Sequence, residues 1–362
     1  MNILKIIVKK LRKSFSNKIN IYIDGSDGIG WSIDNDKSII SGHINKNVYI
    51  IVDDVDDAQI IHNLWWNNIY YSLPNFKNHI NKKFIVTCSN FVNPDANEFN
   101  LNKEFNEISK IADIWICPSI KQKEILDKKL LNTFYLPFSI NFKLFDQEKK
   151  SKIGLCDYFD IDYKIIENKI IIGSFQRDSL GSDLLKPKWQ KNPKLLVTLL
   201  KSLPKSKYIL LLAGPRRHYI INECKINEIP YLYLGKETQD DDIHSNAFDI
   251  KEMPFLYQLT DIYLITSKSE GGPKAAIEAT ASKTMILSTD VGLAPDFIDK
   301  NYVFQSELNY ATSLNNLVNK YNFIQNHIKD IVTTNYINCK SILKQNSSER
   351  RLDELYENIF EK

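Results

Sequence analysis

The 362-residue sequence lacks the long apolar segments that would place it in or across a membrane. No apolar run reaches the roughly 18 residues that a transmembrane helix requires. The N-terminal segment also lacks the continuous apolar stretch and the small-residue cleavage site of a secretory signal. We therefore expect a protein that stays inside the cell.

Cysteine pairs and metal-ligand clusters are also missing. The cysteines form no C-x-x-C pair, and no histidine stands at metal-ligand spacing, which is typical of a reduced, cytosolic protein that binds no metal. They are Cys88, Cys117, Cys156, Cys224 and Cys339. The acidic run at residues 53–57 is interpreted as solvated loop acids, with a divalent metal as the alternative, because no spaced glycine or terminal Glu completes a calcium loop.

A large excess of one charge is absent as well. The 47 basic and 44 acidic residues leave a net charge of +3, which is too small to indicate nucleic acid as the main partner. Residues 1–18 are the local exception, since they contain lysines and one arginine but no acid, with apolar residues at helical spacing. Two interpretations are open for this segment: a basic amphipathic helix on an anionic membrane surface, or a terminal helix docked on its own domain.

The residues that are present predict an α/β protein of two domains. The length exceeds one ordinary core, and short apolar runs alternate with helical or loop segments in both halves. We predict an N-terminal domain over 19–167, a C-terminal doubly wound domain over 168–340 and a final amphipathic helix within 341–362.

A glycine-containing loop follows the first predicted strand, residues 19–24. Gly28 and Gly30 would let a ligand approach the edge of the sheet, and a plain turn is the alternative interpretation. No G-x-x-G helix start follows, so the loop does not favour an NAD-dependent dehydrogenase.

The most informative stretch runs from Ser267 to Ala281, after the apolar residues 262–266. It is typical of a buried strand, a loop and a helix. Gly271 and Gly272 allow close backbone approach, and Pro273 suits the first helical position. Such a helix start favours an anion or a polar ligand. Two carboxylates flank the same small volume from different elements, which suits a hydroxyl-rich ligand; they are Glu270 and Glu278.

This stretch resembles a known motif, Ser-x-Ser-Glu-Gly-x-Pro followed by a second Glu, of the retaining GT-B glycosyltransferases of glycosyltransferase family four, or group 1 type. Supporting segments are Ile172–Phe175 before a loop with Arg177, then Lys191 before a leucine-rich helix, and Thr289–Gly292. Two segments of the first half, 112–119 and 136–145, also resemble the family. The likeness covers about residues 110–300.

The resemblance implies two Rossmann-like domains that face a cleft, with a C-terminal helix that crosses back to the first domain. It implies a hexosyltransferase-type enzyme that uses a nucleotide diphosphate sugar, with UDP favoured over GDP, and no other cofactor. Glu270 would contact the donor sugar as the catalytic residue, the backbone of Gly271, Gly272 and Pro273 would contact sugar or diphosphate, and Glu278 would take the ribose hydroxyls. Arg177 and Lys191 would neutralise the diphosphate, which their charge also suggests.

The acceptor implied by the family is a surface glycan or its lipid carrier, reached from the cytoplasm or from the inner face of the membrane. Asn192 stands where the family usually has Gly, and Asp296 where it often has Glu. The histidine that many members place in the catalytic cleft has no clear counterpart, and His43 and His62 are candidates by location alone. A non-catalytic protein that binds nucleotide sugars is therefore the alternative function.

Overall fold

The computed structural model describes residues 18–26, 28, 30, 32–90 and 101–360. The chain forms two compact units. The first contains residues up to Cys117, Lys123–Leu136 and Ser348 onwards, and the second contains Pro118–Gln122 and Pro137–Ser347. The basic segment 1–18 lies outside the described residues except for Lys18, so the two interpretations of it stay open.

The first unit is built on a parallel sheet of six described strands in the order β2-β1-β3-β4-β5-β6. The strands are β1 Ile19–Asp24, β2 Tyr49–Ile51, β3 Ile60–Asn63, β4 Lys83–Thr87, β5 Ile114–Cys117 and β6 Thr133–Tyr135. The helices that begin in or near this half are α1 Ser32–His43, α2 Ile69–Ser72, α3 Leu101–Ser109 and α4 Ile120–Asp127. Short 3-10 turns occur at Val55–Asp57, Trp66–Asn68 and Phe76–His79. Strand β3 was not predicted from the sequence, because its polar His62 and Asn63 interrupt the apolar run.

The second unit contains another parallel sheet, in the order β11-β10-β7-β12-β13-β14. Its strands are β7 Ile170–Ser174, β10 Tyr208–Ala213, β11 Tyr231–Leu234, β12 Ile262–Ile265, β13 Met285–Thr289 and β14 Val303–Phe304. A separate antiparallel hairpin is formed by β8 Ser179–Leu180 and β9 Asp183–Pro187. The sequence analysis treated this hairpin as part of a long loop, because it has no alternating apolar pattern.

Helices and short turns complete the second unit. The helices are α5 Phe142–Phe145, α6 Lys152–Tyr158, α7 Tyr163–Ile166, α8 Pro193–Lys201, α9 His218–Asn227, α10 Met253–Leu259, α11 Lys274–Ala281, α12 Ala294–Phe297, α13 Glu307–Lys320 and α14 Gln325–Asn346. The 3-10 turns are Trp189–Lys191, Lys300–Tyr302 and Tyr321–Phe323. The strands β7, β10, β12 and β13 are buried on both faces, which explains their continuous apolar sequences.

The unit boundary differs from the boundary expected at 167/168. Residues 137–167 belong to the second unit, because Phe145 of α5 and Leu155 of α6 are fully buried in that unit's hydrophobic clusters. The sequence gave weak guidance there, since the charged and mixed stretch from Asp146 to Asn168 resembles a linker. The domain change in fact precedes it.

The last helix, α15 Ser348–Asn358, returns to the first unit as expected. Leu352, Leu355 and Tyr356 are buried in the same cluster as Ile21 and Ile23 of β1. The helix has apolar residues on one face, and burial of that face covers one side of the first sheet. The C-terminal end of the chain is therefore part of the N-terminal core.

Replacing Leu355 with Ala should lower the free energy of unfolding of the first unit by about 2–5 kcal/mol, because a fully buried leucine leaves a cavity. Urea unfolding followed by tryptophan fluorescence measures this unit, since Trp65, Trp66 and Trp115 lie in it. The exposed Glu357→Ala on the same helix is the control and should change stability by no more than about 0.5 kcal/mol. Equal stability of the two variants would contradict the helix's role in this core.

Candidate functional site

The loop between β12 and α11 lies at the carboxyl edge of the second sheet, where ligands bind in open parallel sheets. The loop rests on Gly292, which has a φ of +52°. A Cβ on Gly292 would approach the Glu270 and Gly271 carbonyl oxygens to 2.9 Å and Pro273 Cδ to 2.8 Å. Only a glycine therefore lets the segment after β13 support the loop this closely.

Glu270 forms an ion pair with Lys191, which comes from the turn that precedes α8. The Ser267 hydroxyl lies 2.9 Å from Glu270 Oε1 and 3.0 Å from Gln176 Oε1. Three chain segments, after β7, before α8 and after β12, thus meet at one carboxylate. The structure brings together Glu270 and Lys191, which are 79 residues apart, and adds Gln176, which the sequence analysis did not identify.

Backbone hydrogen bonds hold the two loops in register. The N–H groups of Lys268 and Ser269 donate to the Gln190 carbonyl at 2.8 and 3.4 Å. The Thr266 hydroxyl donates to the Lys191 carbonyl at 3.2 Å. Because the bonds join main chain on both sides of the ion pair, the positions of Lys191 and Glu270 depend on backbone geometry as well as on their charges.

Asn192 has φ +46° and ψ 55°, in the left-handed region. Glycine enters this region without strain, and asparagine enters it more readily than most other residues. This conformation explains physically how Asn occupies the position between Lys191 and Pro193. Pro193 is the first residue of α8, as predicted, whereas Pro273 has ψ 103° and lies one residue before α11, not at its first helical position.

The two glycines of the loop have no positive φ. Gly271 is buried, and a Cβ on Gly272 would meet Leu293 Cδ2 at 2.5 Å and Phe138 Cδ2 at 2.7 Å. Gly272 is therefore required for packing within the unit. Its role in approach to a ligand, expected from the sequence, remains a prediction.

Glu278 lies on α11 and is oriented by a tyrosine. The Tyr257 hydroxyl donates to Glu278 Oε2 at 2.8 Å, and Glu278 Oε1 has no hydrogen-bond partner within the described residues. Burial raises the pKa of the Glu278 carboxyl above its usual value. Phe175, after β7, packs its ring against Tyr257 and Tyr263. The aromatic cluster thus connects the carboxylate to the segment that precedes Arg177.

Lysine and arginine side chains surround the Lys191–Glu270 pair. Lys188 lies at the start of the same turn, and its pKa is lowered to about 8 by burial first, then by the positive charges of Arg177, Lys191 and Arg216. Arg177 is half-buried in the loop after β7. The sequence analysis identified Arg177 and Lys191 but missed Lys188, because nothing in its sequence context distinguishes it from the neighbouring Lys186.

Gly28 and Gly30 lie in an exposed turn before α1, with φ of +70° and +73°. The Gly28 N–H donates to Ser26 Oγ at 3.1 Å and the Gly30 N–H to Asp34 Oδ2 at 2.9 Å. The turn uses these amides internally, which agrees with the plain-turn interpretation. A role on the acceptor side remains a prediction.

Neither candidate histidine of the first unit has a geometry that indicates ligand binding. His62 is fully buried, with Nδ1 2.9 Å from the Tyr356 hydroxyl. Burial lowers its pKa to about 3. His43 Nδ1 lies 2.6 Å from Ser348 Oγ. Both side chains therefore hold the C-terminal helix.

Two further searches cover only the part of the chain that the structure describes. It contains no cluster of three or more His, Cys, Asp or Glu side chains arranged to bind a metal ion. It also contains no helix with the length and apolar character needed to span a membrane. The acidic run after β2 includes Asp54, which caps the following turn through the Asp56 N–H at 2.9 Å.

Comparison with known proteins places this site in a known family segment. Residues 186–322 match the family model of glycosyl transferases group 1. This segment contains Lys188, Lys191, Glu270 and Glu278. A comparison with curated protein sequences gives no significant match.

Solved structures with a similar fold include several glycosyltransferases. Anabaena HepE, determined with UDP and glucose, has a TM-score of 0.66 and 12% identity over 94% of this chain and 100% of its own. A glycosyltransferase from Rickettsia africae has a TM-score of 0.62 and 16% identity, covering 96% and 100%. Sucrose-phosphate synthase from Thermosynechococcus elongatus has a TM-score of 0.63 and 15% identity, covering 84% and 74%.

The fold is of the GT-B type: two Rossmann-like α/β domains, with the last helix returning to the first. This confirms the fold class expected from the sequence. Together with the match to the group 1 model, it identifies the chain as a glycosyltransferase. The roles of individual residues remain predictions.

Gly292→Ala should disturb the site from below. The backbone strain alone costs about 1–2 kcal/mol, and the added Cβ would displace the loop that contains Glu270. Thermal unfolding and calorimetric binding of nucleoside diphosphates should both be weakened. Gly42→Ala is the control, because a Cβ there meets open space. Normal binding by Gly292→Ala would show that the loop does not depend on this contact.

The first unit should lose stability at mildly acidic pH. The folded-state pKa of His62, about 3, lies below the unfolded value near 6.5, so its stabilisation is complete above pH 6.5 and declines as the pH falls toward 3. The loss between pH 6.5 and 4 should reach about 3 kcal/mol at most. Tryptophan-detected urea unfolding of His62→Gln should show a smaller pH dependence, whereas the exposed-residue control His244→Gln should behave like wild type.

Proposed function

We propose that the chain transfers a sugar from a nucleotide diphosphate sugar to a hydroxyl acceptor, with retention at the anomeric carbon and without a metal ion. The observation that carries this proposal is the Lys191–Glu270 ion pair at the carboxyl edge of β12, surrounded by further cations. Retention follows from the likeness to glycosyltransferase family four. A hexosyl group is the expected cargo.

Each donor contact is assigned by its chemistry. The diphosphate is held by Arg177 and Lys191, and the ribose hydroxyls bind the unpartnered oxygen of Glu278, whose orientation the Tyr257 hydroxyl sets. Glu270 contacts the donor sugar, and the backbone of residues 271–273 contacts sugar or diphosphate. Without a donor, Lys191 is paired with Glu270, so donor binding exchanges that partner for phosphate oxygens.

The chemical step breaks the bond between the anomeric carbon and the diphosphate oxygen. A bond forms from the acceptor oxygen to the same carbon, the acceptor proton is released, and the nucleoside diphosphate leaves with the bonding electron pair. Negative charge therefore develops on the leaving oxygen. Preorganised cations at this position lower the barrier because they need not reorganise during the reaction.

The donor and acceptor classes are supported by the related structures. HepE binds UDP and glucose, which supports a UDP-sugar donor over a GDP-sugar. TarM from S. aureus was determined with UDP and a GlcNAc-glycerol product, which supports a glycan acceptor. We place the activity in synthesis of a surface polysaccharide or glycolipid, in the cytoplasm or on the inner face of an anionic membrane through residues 1–18.

A second candidate function is binding of nucleotide sugars without catalysis. The burial of His62 and the contact of His43 with Ser348 favour it, because neither side chain is available as a cleft histidine. This candidate predicts that nucleoside diphosphates bind while no donor is turned over. Calorimetry combined with an acceptor panel separates it from the first.

Glu270→Gln should lower kcat by about 100-fold or more, since a preorganised group at the reacting sugar is lost, while nucleoside diphosphate affinity changes much less. Release of nucleoside diphosphate from UDP-, GDP- and ADP-sugars in the presence of candidate acceptors measures turnover. The control is Glu349→Gln, an exposed carboxylate of α15. Wild-type turnover by Glu270→Gln would remove Glu270 from the reaction.

A further inference from the structure

The β8–β9 hairpin ends in a lysine that the proposed donor contacts do not use. Lys188 follows β9 directly, and its N–H donates to the Asp178 carbonyl at 2.7 Å. The Lys188 carbonyl accepts from the Lys191 N–H at 3.0 Å and from the Asn192 N–H at 3.2 Å. The backbone of Lys188 is therefore held at both ends next to Lys191.

The hairpin is also fixed on its other side. The Arg216 carbonyl accepts from the Asp178 N–H at 3.1 Å, and Gly181 lies against the Arg216 guanidinium, where a Cβ would come within 2.4 Å of Nη2. Asp241 forms a salt bridge with Arg216 at 2.6 Å. The hairpin thus spans from Arg216 to the turn that contains Lys191, and it presents Lys188 between them.

The charges around Lys188 do not balance. Lys191 is paired with Glu270 and Arg216 with Asp241, but the Lys188 ammonium has no hydrogen-bond or salt-bridge partner in the described chain. It is only partly exposed to solvent. A half-buried ammonium next to other cations is unfavourable unless an anion is supplied. The missing partner is an anion that enters from solution.

We propose that Lys188 is a third cation for the donor's diphosphate, and that donor binding is coupled to uptake of a proton by its amino group. This inference rests on the proposed function, because it takes the diphosphate as the anion. It adds a contact from the hairpin, which is a different element from the loop of Arg177 and the turn of Lys191.

The titration of Lys188 gives the proposal its measurable signature. In the unliganded protein its pKa is about 8, lowered by burial and then by Arg177, Lys191 and Arg216, while Glu270 raises it. A bound diphosphate adds negative charge and raises the pKa again. Above pH 8 the free protein must therefore bind a proton when the donor binds. Arginine and glutamate side chains do not ordinarily titrate between pH 7 and 9.

Calorimetric binding of UDP, GDP and ADP to the full chain tests this in four proteins: wild type, Lys188→Ala, Lys188→Arg and the control Lys186→Ala. Lys186 is an exposed lysine of the same hairpin. At pH 7 we expect Lys188→Ala to bind about tenfold more weakly than wild type, the effect of one charge contact. Lys186→Ala should bind like wild type.

The pH dependence separates this role from a structural one. Between pH 7 and pH 9 the ratio of wild-type to Lys188→Ala affinity should fall about tenfold, since the free lysine loses its proton near pH 8. Lys188→Arg should keep its advantage over Lys188→Ala at pH 9, because a guanidinium stays charged. At pH 8, wild type should take up a proton on binding when buffers of different ionisation enthalpy are compared, and Lys188→Ala should take up less.

Two results would overturn the inference. One is equal nucleotide affinity of wild type and Lys188→Ala at pH 7, and the other is a wild-type advantage that does not change between pH 7 and 9. Both presuppose that wild type binds a nucleoside diphosphate. If wild type binds none of the three, the proposed function itself fails, so the two failures are distinguishable.

Discussion

The ion pair between Lys191 and Glu270 is the interaction on which the site depends. It joins the turn before α8 to the loop after β12, and the main-chain bonds to Gln190 hold the same two segments. Gly292 supports the loop from below at a distance that excludes a side chain. A charged pair at this edge is thus positioned by the sheet, and an anionic ligand meets a site that is already organised.

The excess of positive charge around the pair gives the site its direction. Carboxylates neutralise Lys191 and Arg216, whereas Lys188 is left with a lowered pKa and without a partner in the described chain. Such an arrangement costs free energy in the unliganded protein and favours a ligand that carries negative charge. A diphosphate leaving group fits this requirement, because its charge increases during sugar transfer.

Much of the fold was predictable from local pattern. The strands β1, β4, β10 and β12 are continuous apolar runs, and they occur where the sequence placed them. The motif from Ser267 to Glu278 indicated the glycosyltransferase fold for the same reason, since strand, loop and helix are encoded by neighbouring residues. Strand β3 and the β8–β9 hairpin were missed, because polar or mixed residues hide their strand character.

The sequence by itself determined the two α/β halves, the strand-loop-helix unit and the chemical types of Glu270, Glu278, Arg177 and Lys191. Local residue patterns encode each of these. Only the tertiary structure decided that residues 137–167 belong to the second unit, that His62 is buried against Tyr356 and that Lys188 lies among other cations. These facts depend on which distant segments pack together, and neither burial nor an electrostatic field can be read from the residues adjacent in sequence.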